Sequence, residues 1–237
     1  MHRGTLANHY IKADGNVIFD IEKNPFGLTL YGRRNGEADS HYWRITQWLF
    51  PWFTLIPPFG NHALGGHVWV PIDDENCWAW SINFHPDKPL SSEEREAMAA
   101  GKGIHVRYEQ GEHAIAWRPM ANRDNDYLID RKAQKERRAF SGVLGFSEQD
   151  ASLQESMGVL QDRTQELLLP TDKAIVMARR MLEDAARGVE KGEQPPALDA
   201  KAQQVRAAGV LLPIGIDPKP WAKDKIQQVA GKPVYSI

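Results

Sequence analysis

The stretch GHVWVPIDDENCWAWSINF (residues 66–84) predicts a pair of strands joined by a tight turn. GHVWVPI (66–72) and CWAWSINF (77–84) are rich in β-branched and aromatic residues, and the polar DDEN between them is typical of a hairpin turn. Side chains alternate between the two faces of a strand, so Ser81 and Asn83 fall on the smaller and more polar face of 77–84. The other face carries Trp78, Trp80, Ile82 and Phe84.

The residues before this stretch extend the same pattern. NVIFDIE (16–22) and GLTLYGRR (27–34) flank KNPF, a second candidate hairpin turn, and HYWRITQWLF (41–50) is a further strand candidate. PWFTLIPPFGNHALGG (51–66) contains prolines and glycines that predict an edge, bends and a loop. The first half of the chain is therefore predicted to form an antiparallel sheet.

The second half is predicted to be helical. SSEEREAMAAG (91–101) has a serine cap, early acids and a terminal glycine, the signature of a short helix. A longer helix is predicted over about 148–168 and another over about 172–189. The prolines of the tail, 200–237, suggest a segment that runs over the surface. Strands first and helices last predict an α+β fold.

Asp150 raises the main chemical question of the sequence. The apolar residues of the 148–168 helix recur at helical spacing, and extending their stripe backward reaches Asp150. The stripe comprises Leu153, Met157, Leu160 and Leu167 or Leu168. One hypothesis is that Ser147 and Asp150 form a capping box. The other is that Asp150 faces a cavity and binds ferrous iron with two histidines, a set that leaves coordination positions open for oxygen.

Composition excludes several function classes. The 237 residues carry 29 basic and 31 acidic side chains, so no positive excess favours nucleic acid or an anionic membrane. The longest apolar run is broken by prolines and too short to span a bilayer, and no signal peptide is recognised, which predicts a cytoplasmic protein. The single cysteine, Cys77, cannot supply an internal disulfide, a four-cysteine zinc site or a Rieske cluster.

The segment FSGVLGFSEQDASLQESMGVLQDRTQELLLPTDKAIVMARRMLEDAARG (140–188) resembles the C-terminal part of Rieske non-haem iron oxygenases of the phthalate dioxygenase type. The resemblance rests on the G-x-x-x-QD run, on QESMG, DRT and TDKAI, and on RRML. HVWVPIDDEN and NDYLIDRKAQ occur upstream in the same order as in that family. Most of residues 1–190 are covered, and related aromatic O-demethylases carry a C-terminal extension of the kind found here.

The resemblance implies the residues of a mononuclear Fe(II) site. The aspartate of the QD run, here Asp150, is the carboxylate ligand in the family. The opening MHRGTL matches the second histidine of the family's H-x(4)-H motif at His2, and the first histidine would lie upstream of Met1. The [2Fe-2S] Rieske cluster would lie in an N-terminal domain that this sequence does not contain.

The implied fold is a curved antiparallel sheet packed on a long C-terminal helix, the helix-grip or Bet v1-like arrangement. Residues 1–192 would form the oxygenase catalytic domain and 193–237 a C-terminal extension. The implied function is hydroxylation or O-demethylation of an aromatic, often carboxylated, compound with O₂. Ser81 and Asn83 would offer polar contacts in the substrate pocket. A reductase would supply electrons, and a homotrimer would bring one subunit's cluster to its neighbour's iron.

Two alternatives remain at this point. The same fold could enclose an apolar cavity as a non-catalytic ligand-binding module, or the chain could be an inactive remnant of such an oxygenase. A measurement of iron binding would distinguish the oxygenase from both alternatives.

Overall fold

The computed structural model describes residues 6–57, 63–85, 88–112, 115 and 117–227, with side chains from residue 9 onward. The chain divides into two compact units. The first, here called the sheet unit, comprises Met1–Pro71, Cys77–Lys88 and Leu167–Ile237. The second unit comprises Ile72–Asn76 and Pro89–Glu166. The boundary proposed near residue 192 from the sequence stays a prediction.

A seven-stranded antiparallel sheet forms the sheet unit. Six strands follow one another in chain order. The third strand pairs through its last residues with the fourth, and through its first residues with the seventh. The strands are β1 (Ile18–Asn24), β2 (Gly27–Asn35), β3 (Ser40–Leu49), β4 (Phe53–Ile56), β5 (Leu64–Pro71), β6 (Cys77–Phe84) and β7 (Ala208–Pro213).

The predicted hairpins are confirmed. β1 and β2 pair around the KNPF turn, and β5 and β6 pair across the turn at 72–76. The Asp73 carboxylate accepts hydrogen bonds from the backbone N–H groups of Glu75 and Asn76, which explains why an acidic segment forms this turn. β4 lies in the proline-rich stretch for which an edge, bends and a loop were predicted. Its four residues are too few for an alternating pattern to be recognised in the sequence.

The core of the sheet unit lies on one face of β3. Trp43 and Ile45 lie on either side of the partly exposed Arg44 and pack with Tyr31 of β2. The C-terminal segment supplies most of the remaining buried side chains of this cluster, namely Ala208, Val210, Leu212, Ala222 and Ile226. The sheet therefore buries its central strand only with the help of residues that come at the end of the chain.

The C-terminal segment differs from the surface tail expected from its prolines. Its Pro218 begins α6 (Pro218–Lys225), a position where a missing N–H costs nothing, and the Asp217 side chain caps this helix. Lys219 and Lys223 of α6 form ion pairs with Asp20 and Glu22 of β1. The prolines mark a helix start here rather than a chain that avoids secondary structure.

A buried hydrogen-bond network also ties this segment to the sheet. The Thr29 hydroxyl donates to the Gln47 side-chain oxygen at 2.7 Å, and the Gln227 amide donates to Thr29 at 3.1 Å. The Gln47 amide in turn donates to the Arg206 carbonyl at 3.1 Å. All three side chains are buried, so each depends on the others to satisfy its polar atoms.

The long C-terminal helix is α5 (Lys173–Glu190), which lies against β2 and closely matches the helix predicted over 172–189. The α+β fold with a curved antiparallel sheet and a long helix is confirmed. The other helices are α1 (Leu6–Ala13), α2 (Ser92–Ala99), α3 (Arg131–Lys135) and α4 (Phe146–Ser156). α2 has the predicted serine cap, at Ser91, which also forms a capping box with Glu94. Among the described residues, no helix is both long and apolar enough to cross a membrane.

Candidate functional site

Asp150 lies on α4 in the second unit, and its side chain is exposed. The helix begins at Phe146, directly after Gly145, whose φ of +93° suits glycine, and no side chain caps its first turn. The predicted capping box between Ser147 and Asp150 is therefore wrong. No described residue donates a hydrogen bond to the Asp150 carboxylate or forms an ion pair with it, so the group is available to a ligand.

The predicted helix over 148–168 is wrong in its length. α4 ends at Ser156, and Gly158 follows with a φ of +101°, a conformation that commonly closes a helix. The apolar stripe is not buried either, because Leu153 is 70% exposed and Leu160 is 69% exposed. Gly158 was the sequence signal that could have placed the end of this helix correctly.

Glu148 is the buried carboxylate of α4, and residue spacing did not single it out. Its residue is only 2% exposed, and its Oε2 atom has no hydrogen-bond partner among the residues that the structure describes. A Cβ atom added at Gly145 would lie 1.8 Å from Oε2 of Glu148, so the carboxylate occupies the space that a side chain there would need. Any larger residue at 145 would displace it. Since Glu148 and Asp150 are two residues apart on a helix, they point to different sides of it.

The C-terminal end of α4 is anchored by a polar contact within the second unit. The buried Tyr127 donates its hydroxyl hydrogen to Oε2 of Glu155 at 2.7 Å, and Arg123 donates to the Glu155 carbonyl at 2.7 Å. Tyr127 lies between Asp126 and Leu128, and all three adopt the left-handed backbone conformation that L-residues rarely use. The NDYLID run therefore forms a strained turn that holds one end of the helix carrying Asp150.

This anchor predicts a specific alkaline dependence of stability. Burial, followed by the hydrogen bond to Glu155, raises the pKa of Tyr127 to about 12. The folded protein thus holds this proton more tightly than the unfolded chain, and the stabilisation is present below pH 10 and is lost as the pH rises towards 12. We expect Tyr127→Phe to cost about 1 kcal/mol at pH 7 and to flatten this dependence, measured by urea unfolding between pH 7 and pH 11.

An equal cost of Tyr127→Phe at both ends of that pH range would contradict this account. Tyr108→Phe is the matched control, because that ring contacts Trp117 and no described side-chain hydrogen bond of its hydroxyl would be removed.

The two residues predicted for the substrate pocket, Ser81 and Asn83, lie on β6 in the sheet unit and are partly exposed. Ser81 is the direct cross-strand neighbour of His67 on β5, and its Oγ lies 3.3 Å from Nδ1 of that imidazole. The side-chain amide of Asn83 donates to the Leu64 carbonyl at 3.2 Å. His67 was missed from the sequence, since only the strand register shows which histidine faces Ser81.

The side-chain donors fit a mononuclear iron site only in part. Asp150 offers an exposed carboxylate with no partner in the described part of the chain, which suits a metal ligand. His2 lies outside the described residues, and within the described part of the chain no three His, Cys, Asp or Glu side chains cluster closely enough to hold a metal ion. Asp150 is therefore the one member of the predicted ligand set that lies among the described residues.

Comparison with known proteins gives consistent matches along the chain. The sequence matches the family described as LigXa C-terminal domain like over residues 8–232. It is 31% identical over 239 residues to the 3-chlorobenzoate-3,4-dioxygenase oxygenase subunit of Comamonas testosteroni, covering 94% of this chain and 54% of that protein. It is 30% identical over 185 residues to the phthalate 4,5-dioxygenase oxygenase subunit of Pseudomonas putida, covering 77% and 40%. The chain spans about half the length of these curated relatives.

Proposed function

Because this chain belongs to the LigXa C-terminal domain-like family, we propose that it is the catalytic portion of an aromatic-ring oxygenase subunit. The main support for the proposal is the sequence match to two dioxygenase oxygenase subunits. One of these two matches extends over 94% of this chain. The reaction class is oxidation of an aromatic compound with O₂. The names of both relatives refer to aromatic carboxylates, which supports a carboxylated aromatic as the substrate of this chain.

The proposed metal centre is a mononuclear ferrous ion with Asp150 and His2 among its ligands. An exposed carboxylate that no described cation pairs with supports the choice of Asp150. The bound iron would supply the site at which O₂ is reduced. The chain's own contribution is to hold this carboxylate at a fixed place on α4, through the contacts of Tyr127 and Arg123 to Glu155.

The remaining components of the reaction are proposals that follow from membership of the family. Electrons would come from a reductase through a [2Fe-2S] Rieske cluster in sequence that precedes this portion, and the intact subunit would form a homotrimer. Ser81 and Asn83 would contact the substrate. The oxygenation could yield a dihydrodiol, a phenol or, by loss of a methyl group, a demethylated ether.

The test is incorporation of labelled oxygen. The protein encoded by the longest reading frame that contains this chain would be loaded with ferrous iron and supplied with reductase, NADH and ¹⁸O₂. Benzoates carrying chloro, carboxyl or methoxyl substituents would be offered in turn. We expect ¹⁸O in the aromatic product or, for an ether, release of its methyl group as formaldehyde.

The competing function is a ligand-binding module without catalysis. It predicts that the same aromatic acids bind with equal affinity before and after iron is removed, and that no label enters any product. This combination of results would overturn the oxygenase proposal.

A further inference from the structure

A short basic segment lies on the surface of the second unit. It covers residues 131–138, RKAQKERR, which contain five basic side chains and one acidic side chain, so its formal charge is +4. The segment comprises α3 and the three residues that follow it. Ala133 is buried, whereas all six charged side chains of the segment are exposed. We call residues 131–138 the basic segment.

Neighbouring acids neutralise only part of this positive charge. Three of the five cations form ion pairs, through the contacts Lys132–Glu136, Arg138–Glu136 and Arg131–Asp126. These pairs are exposed, so each contributes little to stability. Lys135 and Arg137 have no ion pair and no side-chain hydrogen bond in the described part of the chain. The basic segment therefore presents a net positive charge to whatever approaches it.

An acidic counterpart lies on the turn between β5 and β6. Its residues 73–75, here called the acidic turn, carry a formal charge of −3, and no lysine or arginine occurs from residue 45 to residue 87. Asp73 accepts hydrogen bonds from backbone N–H groups inside the turn. Asp74 and Glu75 are exposed, and no described residue pairs with their carboxylates.

Each of the two charged surfaces also exposes a large apolar side chain. Phe140, two residues after the basic segment, is fully exposed, and Ile72, directly before the acidic turn, is 55% exposed. Aromatic and arginine side chains are enriched in protein–protein interfaces. The combination of charge with exposed apolar area is therefore more typical of a contact surface than of a purely solvated one.

The two surfaces do not neutralise each other within one copy of the chain. Both belong to the second unit, yet no ion pair among the described residues joins the acidic turn to the basic segment. Opposite charges on two surfaces of one molecule favour contact between different copies, because like surfaces repel and unlike surfaces attract. A contact between unlike surfaces can repeat from copy to copy and close a ring.

We propose that the acidic turn of one copy docks on the basic segment of a second copy of this chain. The carboxylates of Asp74 and Glu75 face the cations without a described partner, and Phe140 adds apolar contact area. The inference rests on the proposed function only in that a homotrimer requires contacts between copies, and it assigns residues to one of them. Neither surface contains a residue proposed for the reaction.

The test is self-association of the 237-residue chain, measured by sedimentation equilibrium at about 50 mM and about 500 mM NaCl. One variant combines Lys135→Glu with Arg137→Glu, a second combines Asp74→Lys with Glu75→Lys, and a third carries all four substitutions. We expect each double variant to raise the Kd of self-association at least about tenfold at the lower salt concentration, because like charges then face each other. The fourfold variant should return to within about threefold of the unaltered chain, because its charges are exchanged across the contact.

The matched control combines Arg180→Glu with Lys191→Glu, which changes the net charge by the same amount as the basic-segment variant. Both residues are exposed and have no ion pair in the part of the chain that the structure describes. The Kd of this control should stay within about twofold of that of the unaltered chain. Circular dichroism would confirm that every variant is folded.

Three results would each overturn the inference. The first is an unaltered chain that stays monomeric at about 100 µM and low salt, where steered association is strongest. The second is a fourfold variant that associates no better than the double variants, which would assign the charges to other partners. The third is association that none of the reversals weakens, which would leave the proposed homotrimer standing on other contacts. The measurements use neither iron nor substrate, so they are independent of the proposed reaction.

Discussion

Replacing Asp150 by alanine should lower aromatic turnover at least about a hundredfold in the protein encoded by the longest reading frame. The proposed site has a single carboxylate ligand, and even the outer partners of metal ligands are worth 10- to 100-fold in affinity or activity. The free energy of unfolding should change by no more than about 0.5 kcal/mol, because Asp150 is exposed and makes no described contact. Label incorporation and urea unfolding measure the two quantities.

The matched control is Asp184→Ala, an exposed aspartate on α5 for which no described hydrogen bond or ion pair would be lost. Its turnover should remain within about twofold of that of the unaltered protein. If Asp150→Ala and Asp184→Ala have the same turnover, Asp150 is not an iron ligand, whatever the rest of the protein does.

The second large effect concerns stability. Ile226→Ala should lower the free energy of unfolding of the sheet unit by about 3 kcal/mol, because the side chain is fully buried in the main core and its loss leaves a cavity. Its neighbour Gln227 belongs to the buried network with Thr29 and Gln47, so movement of this segment would also disturb polar contacts. The change is measured by urea unfolding followed through tryptophan fluorescence.

Ile216→Ala provides the control, since it removes the same atoms from an isoleucine of the same segment that is 48% exposed. We expect it to cost less than about 1 kcal/mol. Equal costs for the two substitutions would contradict a core built in part from the C-terminal segment.

The sheet could be predicted from the sequence where alternation is long and turn residues are clear. CWAWSINF and GLTLYGRR coincide with β6 and β2 to within one residue, because strand-forming side chains and polar turns agree there. β7 was missed, since AGVLLP is a short apolar run whose partner, β3, lies about 170 residues earlier in the chain. Pairing over that separation leaves no local signal.

Prediction of the candidate site was limited in a different way. Asp150 was identified by resemblance, while periodicity led to a buried helix face that the structure does not have. The burial of Glu148 depends on the space left beside Gly145. The pairing of His67 with Ser81 depends on the strand register. Neither property can be read from residue spacing, so residues of this kind become visible only in three dimensions.

The proposed role of Asp150 as an iron ligand predicts that this residue controls how much ferrous iron the protein binds. The most direct test of this role is anaerobic equilibrium dialysis, in which the protein encoded by the longest reading frame is dialysed against ferrous iron. If that protein contains a Rieske domain, its cluster cysteines are first substituted so that cluster iron does not contribute to the measurement. We predict about one bound ferrous ion per chain for the unaltered protein and for Asp184→Ala, and weak or no binding for Asp150→Ala. Undiminished iron binding by Asp150→Ala would contradict the proposed role.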